Sequence, residues 1–177
     1  MITIEKPIKE DARGVQDVFY KTWLATYPNN EAGILKEDIE ERFKNRFSVE
    51  SIKNREKFFT NIPENELFLV AKDGINVVGV CVVVKRKEFN QLQAIYVLPE
   101  YQRKGIGMMF WNKAKEFFDK SKDIIVQLAT YNTQAEFFYK KLGFVDTGKR
   151  FLDEKHRMSV SGVCVPEMEM IIKNAKE

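Results

Sequence analysis

The stretch from Ile95 to Phe118 constrains this chain most. Ile95-Tyr96-Val97-Leu98 has strand composition and stops at Pro99, and Ile106, Met109, Phe110, Ala114, Phe117 and Phe118 then fall on one stripe of a helix. Two glycines, Gly105 and Gly107, open that helix. A strand that feeds a helix through a short glycine-bearing loop belongs to a layered α/β domain. It also leaves the first-turn N–H groups bare: they have no partner inside the helix and lie at the positive end of its dipole, where an anion is favoured. Arg103 and Lys104 add cations at the same place. The physical reading is a cradle for a diphosphate, set against the plainer one of a turn before an amphipathic helix. Neither common phosphate loop is present. Position 110 is Phe where Gly-x-Gly-x-x-Gly needs glycine, and no Gly-Lys-Ser/Thr occurs.

Around this stretch the pattern predicts a short strand over Met1–Lys6 and a helix from Asp11 with Val15, Val18, Phe19 and Trp23 on one face, broken at Pro28-Asn29-Asn30. A charged helix is expected over Lys36–Phe47 and another over Val49–Phe59. Strands follow at Glu66–Lys72 and Asn76–Lys85 around an Asp73-Gly74 turn, then at Phe89–Leu98, which lacks alternation as a strand covered on both faces would. Ile124–Ala129 reads as a strand, Ala135, Phe138, Tyr139 and Leu142 mark a helix closed by Gly143, and Phe144–Phe151 and Val163–Ile172 complete the strands. The expectation is one α/β (α+β) domain over residues 1–177.

Composition narrows the chemistry. The net charge is +3, with Lys and Arg interleaved among Asp and Glu, which gives nucleic acid no basic patch. No apolar run reaches the ~20 residues of a membrane span. Met1 to Pro7 lacks the apolar core of a signal peptide, so the cytoplasm is the expected address. One histidine, His156, and two cysteines without a paired motif are too few to predict a metal site. Cys81 and Cys164, each flanked by valines, read as buried thiols in strands.

Gln102-Arg103-Lys104-Gly105-Ile106-Gly107 resembles the Gln/Arg-x-x-Gly-x-Gly/Ala signature of the GNAT superfamily of N-acetyltransferases. Asn132-Thr133-Gln134-Ala135-Glu136-Phe137-Phe138-Tyr139-Lys140-Lys141-Leu142-Gly143-Phe144 is similar to that family's second block, Asn-x-x-Ala-x-x-Phe-Tyr-x-Lys-x-Gly-Phe. Two motifs in the family's order are far more specific than one. Within the superfamily, Ile95 to Pro99 and Trp23 to Tyr27 most resemble PaiA-type spermidine/spermine acetyltransferases. The resemblance implies a mixed, mostly antiparallel sheet splayed between its fourth and fifth strands, opening after Tyr96 beside a β-bulge, with helices on both faces.

It further implies acetyl-CoA as cofactor, transfer to a primary amine by direct attack in a ternary complex, and a small-molecule acceptor, with no nucleic acid or membrane partner and a monomer or homodimer as the working unit. Gln102, Arg103, Lys104, Gly105, Ile106, Gly107 and Met108 would bind the diphosphate. Ile95, Tyr96 and Val97 would present main chain to the pantetheine arm, with Val97 N–H donating to the developing oxyanion, and Asn132, Phe138 and Lys141 would complete the cofactor site. Asn132 is also a reasonable helix N-cap. Tyr139 would be the general acid, since a phenol with a pKa near 10 stays protonated at neutral pH until a departing thiolate accepts its proton.

The base stays open. Some family members carry glutamate on the strand before the phosphate loop, and the corresponding residue here is Gln91, which cannot serve. A water chain is one substitute. His156 lies in the charged run Asp153-Glu154-Lys155-His156-Arg157, which reads as a solvated loop. Cys81 as an acyl-carrying nucleophile is disfavoured against direct attack, because nothing nearby in sequence would lower its pKa. Trp23, Tyr27, Glu31 and Gln91 are the expected acceptor contacts. Glu31, Glu37, Asp38, Glu40 and Glu41 gather negative charge that would attract a polyamine such as spermidine or spermine, although a helix bearing such charges is also an ordinary solvated face. A protein N-terminus or lysine is the alternative acceptor. A coenzyme A-binding regulator without catalysis, or a nucleotide-binding module on the same glycine turn, are the alternatives of other classes.

Overall fold

The computed structural model describes residues 1–174. Its strands are β1 Ile2–Glu5, β2 Glu66–Asp73, β3 Asn76–Lys85, β4 Asn90–Val97, β5 Ile124–Ala129, β6 Val145–Leu152 and β7 Pro166–Ile172; its helices are α1 Ala12–Thr26, α2 Lys36–Arg42, α3 Val49–Thr60, α4 Ile106–Phe117 and α5 Thr133–Lys141. The strands form one seven-stranded sheet in the order β1-β2-β3-β4-β5-β7-β6. Every pairing is antiparallel except β4 with β5, which is parallel. This is the mixed, mostly antiparallel sheet flanked by helices that the sequence led us to expect.

The strand buried along its length is β3, not β4. Its valines leave no polar face because α1 and α4 pack on it from opposite sides. Gly14 of α1 sits so close that a Cβ there would lie 2.9 Å from Val77 Cβ. The helix therefore rests almost backbone to side chain on the sheet.

The parallel ladder joins only Asn90 with Ile124, Gln91 with Ile125 and Leu92 with Val126. Beyond Leu92 the two strands part, earlier than the expected opening after Tyr96. The cause is a bulge: Val82 pairs with Ala94 and Val83 with Leu92, so Gln93 has no partner on β3. One extra residue bends and twists the strand it interrupts, and β4 turns away from β5 at that residue.

Gly79 holds the other side of the opening together. It faces Val97 across the ladder, and a Cβ there would meet Tyr96 O at 2.9 Å and Phe110 Cε2 at 3.1 Å. Backbone on one side and a wholly buried ring on the other leave no room to yield. Gly79→Ala is expected to destabilise the fold by about 1–3 kcal/mol, the usual cost of overpacking a core. Urea unfolding would read it, and an unchanged midpoint would mean that β3 and β4 absorb the methyl.

Several boundaries differ from the sequence reading. The second helix stops at Arg42 rather than running to Phe47, because Phe43 leaves helical geometry to place its ring against Tyr20 and Trp23, at 5.9 and 5.6 Å between centroids. Val163 to Val165 form no strand. Val163 O accepts from Met158 N–H and Val165 O from Asp153 N–H within the loop between β6 and β7, so Cys164 is a buried loop residue. Asp38 ties this loop down. Its carboxylate caps Leu35 N–H and accepts from Val160 and Ser161 N–H at 3.0 and 2.9 Å. Burial opposes the charge, but the hydrogen bonds from Ser161, Leu35 and Val160 outweigh it and hold Asp38 below the usual carboxylate range.

Candidate active site

Where β4 and β5 part, each strand shows the other a backbone edge with no ladder. Leu98 N–H reaches across to Val78 O on β3. Because successive residues of a strand point their amides to alternate sides, the N–H groups of Ile95 and Val97 point the other way, into the opening. Backbone donors away from water need partners, and this edge offers them to a ligand lying along β4. The resulting cleft has a volume of about 780 Å³.

Its floor at one end is the start of α4. Gly105 is left-handed (φ +82) and a Cβ on it would meet nothing within 4 Å, so its conformation, and no neighbouring atom of the chain, calls for glycine there. Arg103 is left-handed too (φ +59). No side chain caps α4, so the N–H groups of Ile106, Gly107 and Met108 face the cleft with the helix dipole behind them. Gly107 has a different reason to be glycine: a Cβ there would lie 3.0 Å from the Phe138 ring, and the bare backbone lets α4 approach α5. Gln102 is a clamp. Its side-chain amide donates to Val97 O at 3.1 Å and accepts from Gln134 at 3.0 Å, tying the end of β4 to α5.

Asn132 accepts from Ala135 N–H at 3.1 Å and so caps α5, as its sequence position suggested. Tyr139, on the buried side of α5, lines the cleft between Phe138 and Phe144, with ring centroids at 5.4 and 5.5 Å. Its hydroxyl makes no hydrogen bond among the described residues. Burial above all, with smaller effects of Tyr96 and Cys81, pushes the phenol far above its ordinary pKa. Cys81 lies wholly buried in β3, and burial pushes its thiol up as well.

Of the residues singled out from sequence, Ile95, Tyr96, Val97, Gln102, Arg103, Gly105, Ile106, Gly107, Met108, Asn132, Phe138, Tyr139, Lys141 and Tyr27 line this one cleft. The others do not. Lys104 lays its ammonium 4.7 Å from the Tyr101 ring centroid. Trp23 stacks behind Tyr27 at 4.4 Å, with the Arg42 guanidinium 4.7 Å from its ring. Glu31 is an exposed loop residue. Gln91 lies before the bulge, where its side chain accepts from Arg86 Nε at 2.9 Å. The bulge residue Gln93 takes the cleft-lining position on this strand. Among the described residues no three His, Cys, Asp or Glu side chains are grouped to hold a metal, and no helix is long and apolar enough to cross a membrane.

Beside the cleft lies a second, aromatic cluster of Tyr27, Trp23, Tyr131 and Ala129. The hydroxyls of Tyr27 and Tyr96 are 3.3 Å apart, and Tyr131 donates to Tyr27 O at 2.8 Å. Burial raises both Tyr27 and Tyr96; for Tyr96, hydrogen bonding from Tyr27 and Trp23 works in the opposite sense. Glu167 of β7 belongs to this neighbourhood and escaped the sequence reading. Burial, then Asp153, push its carboxyl up to about 7. The available signal was the alternation Glu167-Met168-Glu169-Met170, which puts both glutamates on one face.

Residues 24–160 match the family model described as Acetyltransferase (GNAT) domain. Among solved structures, PaiA N-acetyltransferase from Thermoplasma acidophilum in complex with coenzyme A is 24% identical, with a TM-score of 0.71 over 98% of this chain and 99% of that one. The ribosomal-protein-S18-alanine N-acetyltransferase from Escherichia coli is 16% identical, with a TM-score of 0.62 over 100% and 96%. The spermidine/spermine N-acetyltransferase SpeG from Vibrio cholerae, in mutant form, is 18% identical, with a TM-score of 0.60 over 99% and 96%. No curated protein matches the sequence. A strand pair forced apart by a bulge, an uncapped helix start at its mouth and the family match over most of the length lead to one statement: the chain belongs to the GNAT acetyltransferase family.

Proposed function

We propose that the chain, acting as one domain, transfers an acetyl group from acetyl-CoA to a primary alkyl amine. The observation that carries this reading is the conjunction of two unpaired surfaces in one cleft: the β4 edge at Ile95 and Val97, and the uncapped start of α4. A pantetheine arm has amides to pair with the first, and a diphosphate has the charge for the second. Gly105 supports the fit, since the space a Cβ would take there is open.

Acetyl-CoA supplies the acetyl group as a thioester, activated toward a neutral amine. The N–H groups of Ile106, Gly107 and Met108 would hold the diphosphate, with Arg103 and Lys141 supplying positive charge around it. Gln102 fixes the end of β4 so that Val97 N–H stays aimed at the cleft as a donor to the carbonyl oxygen. Tyr139 keeps a proton on Oη for the departing sulfur. Its raised pKa leaves it neutral throughout the physiological range.

For the acceptor, the aromatic wall of Tyr27, Tyr96 and Tyr131 suits an alkyl ammonium, and a polyamine is the substrate we favour. The acidic stretch contributes less than its sequence suggests: Asp38 is spent on backbone amides, Glu40 on Lys36 and Glu41 on Lys44. Acetyl-CoA incubated with spermidine, spermine, N-terminal peptides and lysine peptides is expected to release free thiol fastest with the polyamines. Preference for a peptide would replace the acceptor. Coenzyme A binding without turnover on any amine would make the protein a regulator, and stabilisation by ATP or NAD instead of coenzyme A would overturn the cofactor.

A further inference from the structure

An alkyl ammonium is only about 0.1% neutral at pH 7, and Gln93, the β4 residue that lines the cleft at the bulge, cannot accept a proton. We propose that the Glu167 carboxylate accepts the proton of the acceptor ammonium. The inference rests on the acetyltransferase reading above.

The geometry begins with the register of β5 and β7. Glu167 pairs with Ala129, and directly opposed residues of an antiparallel pair put their side chains on the same face. Ala129 lines the cleft and packs in the aromatic cluster with Tyr27 and Tyr131, so Glu167 is directed to that same side. Met168 and Met170, the alternate residues, enter the main core. The field of the Glu167 carboxylate reaches the phenols of Tyr27, Tyr96 and Tyr131. Tyr96 in turn influences Tyr139. Tyr96 thus lies within electrostatic reach of both the acid and the base candidate.

Among the described residues the Glu167 carboxyl has no hydrogen bond or ion pair, and its acidic neighbours are occupied. Asp153 bonds His156 and Lys155 N–H, while Glu169 bonds Lys149 and Gln127. The titratable groups in electrostatic reach of it are Tyr27 at the C-cap of α1, Tyr96 of β4, Tyr131 after β5 and Asp153 after β6. Arg42 of α2 lies over the Trp23 ring in the field of Asp153, and among the described residues no ion pair or hydrogen bond joins it to Glu167.

In the proposed step the ammonium N–H bond breaks, an O–H bond forms on Glu167, and the electron pair stays on nitrogen for attack on the acyl carbon. The carboxyl then returns its proton to solvent. A base poised near the operating pH is the effective kind, and burial places Glu167 there, at about 7. Its carboxyl is protonated below that pH and cannot accept a proton. The value of kcat/KM should therefore fall as pH drops through about 7.

Glu167→Gln is expected to lower kcat/KM about 100-fold at pH 7, to abolish the break at about 7 so that kcat/KM keeps climbing with pH as free amine accumulates, and to leave coenzyme A affinity and thermal unfolding unchanged, with Glu167→Asp restoring part of the rate and of the break. An activity-free readout accompanies it: carbon-13 NMR of protein labelled at glutamate carboxyls. A resonance titrating near 7, absent in Glu167→Gln and displaced to lower pH by butylamine, is expected. No such resonance, or a break at about 7 that survives in Glu167→Gln, would overturn the proposal. Wild-type protein that acetylates no amine yet shows the butylamine-sensitive resonance would sink the acetyltransferase reading and leave the amine-facing carboxylate standing.

Discussion

Tyr139→Phe is expected to lower kcat about 100-fold, the lower end of what a positioned proton donor contributes, with coenzyme A affinity unchanged. The structure separates this effect from damage to the fold. The ring packs edge-on against Phe138 and Phe144, and a phenylalanine keeps both contacts. The hydroxyl makes no hydrogen bond among the described residues, so its removal strands no partner in the interior. Cofactor contacts assigned to α4 and β4 lie on other elements. The loss should therefore appear in kcat alone, the mark of an interaction made in the transition state. Burial holds the phenol far above its ordinary pKa, so no alkaline decline from its ionisation should appear in the assay range. A sulfur leaving into the same buried surroundings would also hold a proton more tightly, since desolvation disfavours the anion of either group. Steady-state kinetics with calorimetry of coenzyme A would measure both halves. Turnover near wild type would take Tyr139 out of the reaction.

The elements that carry the cleft were legible because local chemistry writes them. Pro99 and the left-handed Gly105 mark the break between β4 and α4, Asn132 is a capping residue where a cap is needed, and the apolar stripe of α4 has helical spacing. What could not be read depends on contacts between distant parts of the chain. The bulge at Gln93 exists only relative to β3, and it decides that the sheet opens after Leu92 and that Gln93, not Gln91, lines the cleft. Glu167 has the same character. Along β7 it alternates with buried methionines as any solvent-facing glutamate would, and only the packing of α1 and the loops over that face makes it half-buried. Asp38 errs in the opposite direction, since in sequence it is one more charge on an acidic helix and in the fold it is a buried cap for a loop 122 residues away. Periodicity and capping residues report on their own segment, and the long-range register sets which polar groups meet.

Gly107→Glu is expected to weaken coenzyme A binding by about 100-fold or more, and two separate physical effects contribute. The first is steric. A Cβ at position 107 would lie 3.0 and 3.2 Å from two carbons of the Phe138 ring, so any side chain pushes on a residue that itself lines the cleft. The ring is the far end of a partly buried side chain and can yield, which makes Gly107→Ala the mild member of the series. The second is electrostatic. Two like unit charges about 5 Å apart repel by about 3 kcal/mol at an effective dielectric of about 20, and each 1.4 kcal/mol is about a factor of ten in Kd. A carboxylate in the first turn of α4 is also drawn to the uncapped N–H groups by the helix dipole, so it would compete for the donors that a diphosphate needs. Gly107→Gln separates the two, because it keeps the length of glutamate without the charge. Calorimetric titration should rank affinity as wild type, alanine, glutamine, glutamate, with the gap between the last two shrinking as salt is raised. Equal affinities for glutamine and glutamate at low salt would place the diphosphate away from α4, and with it would go the assignment of Ile106, Gly107 and Met108 as its donors.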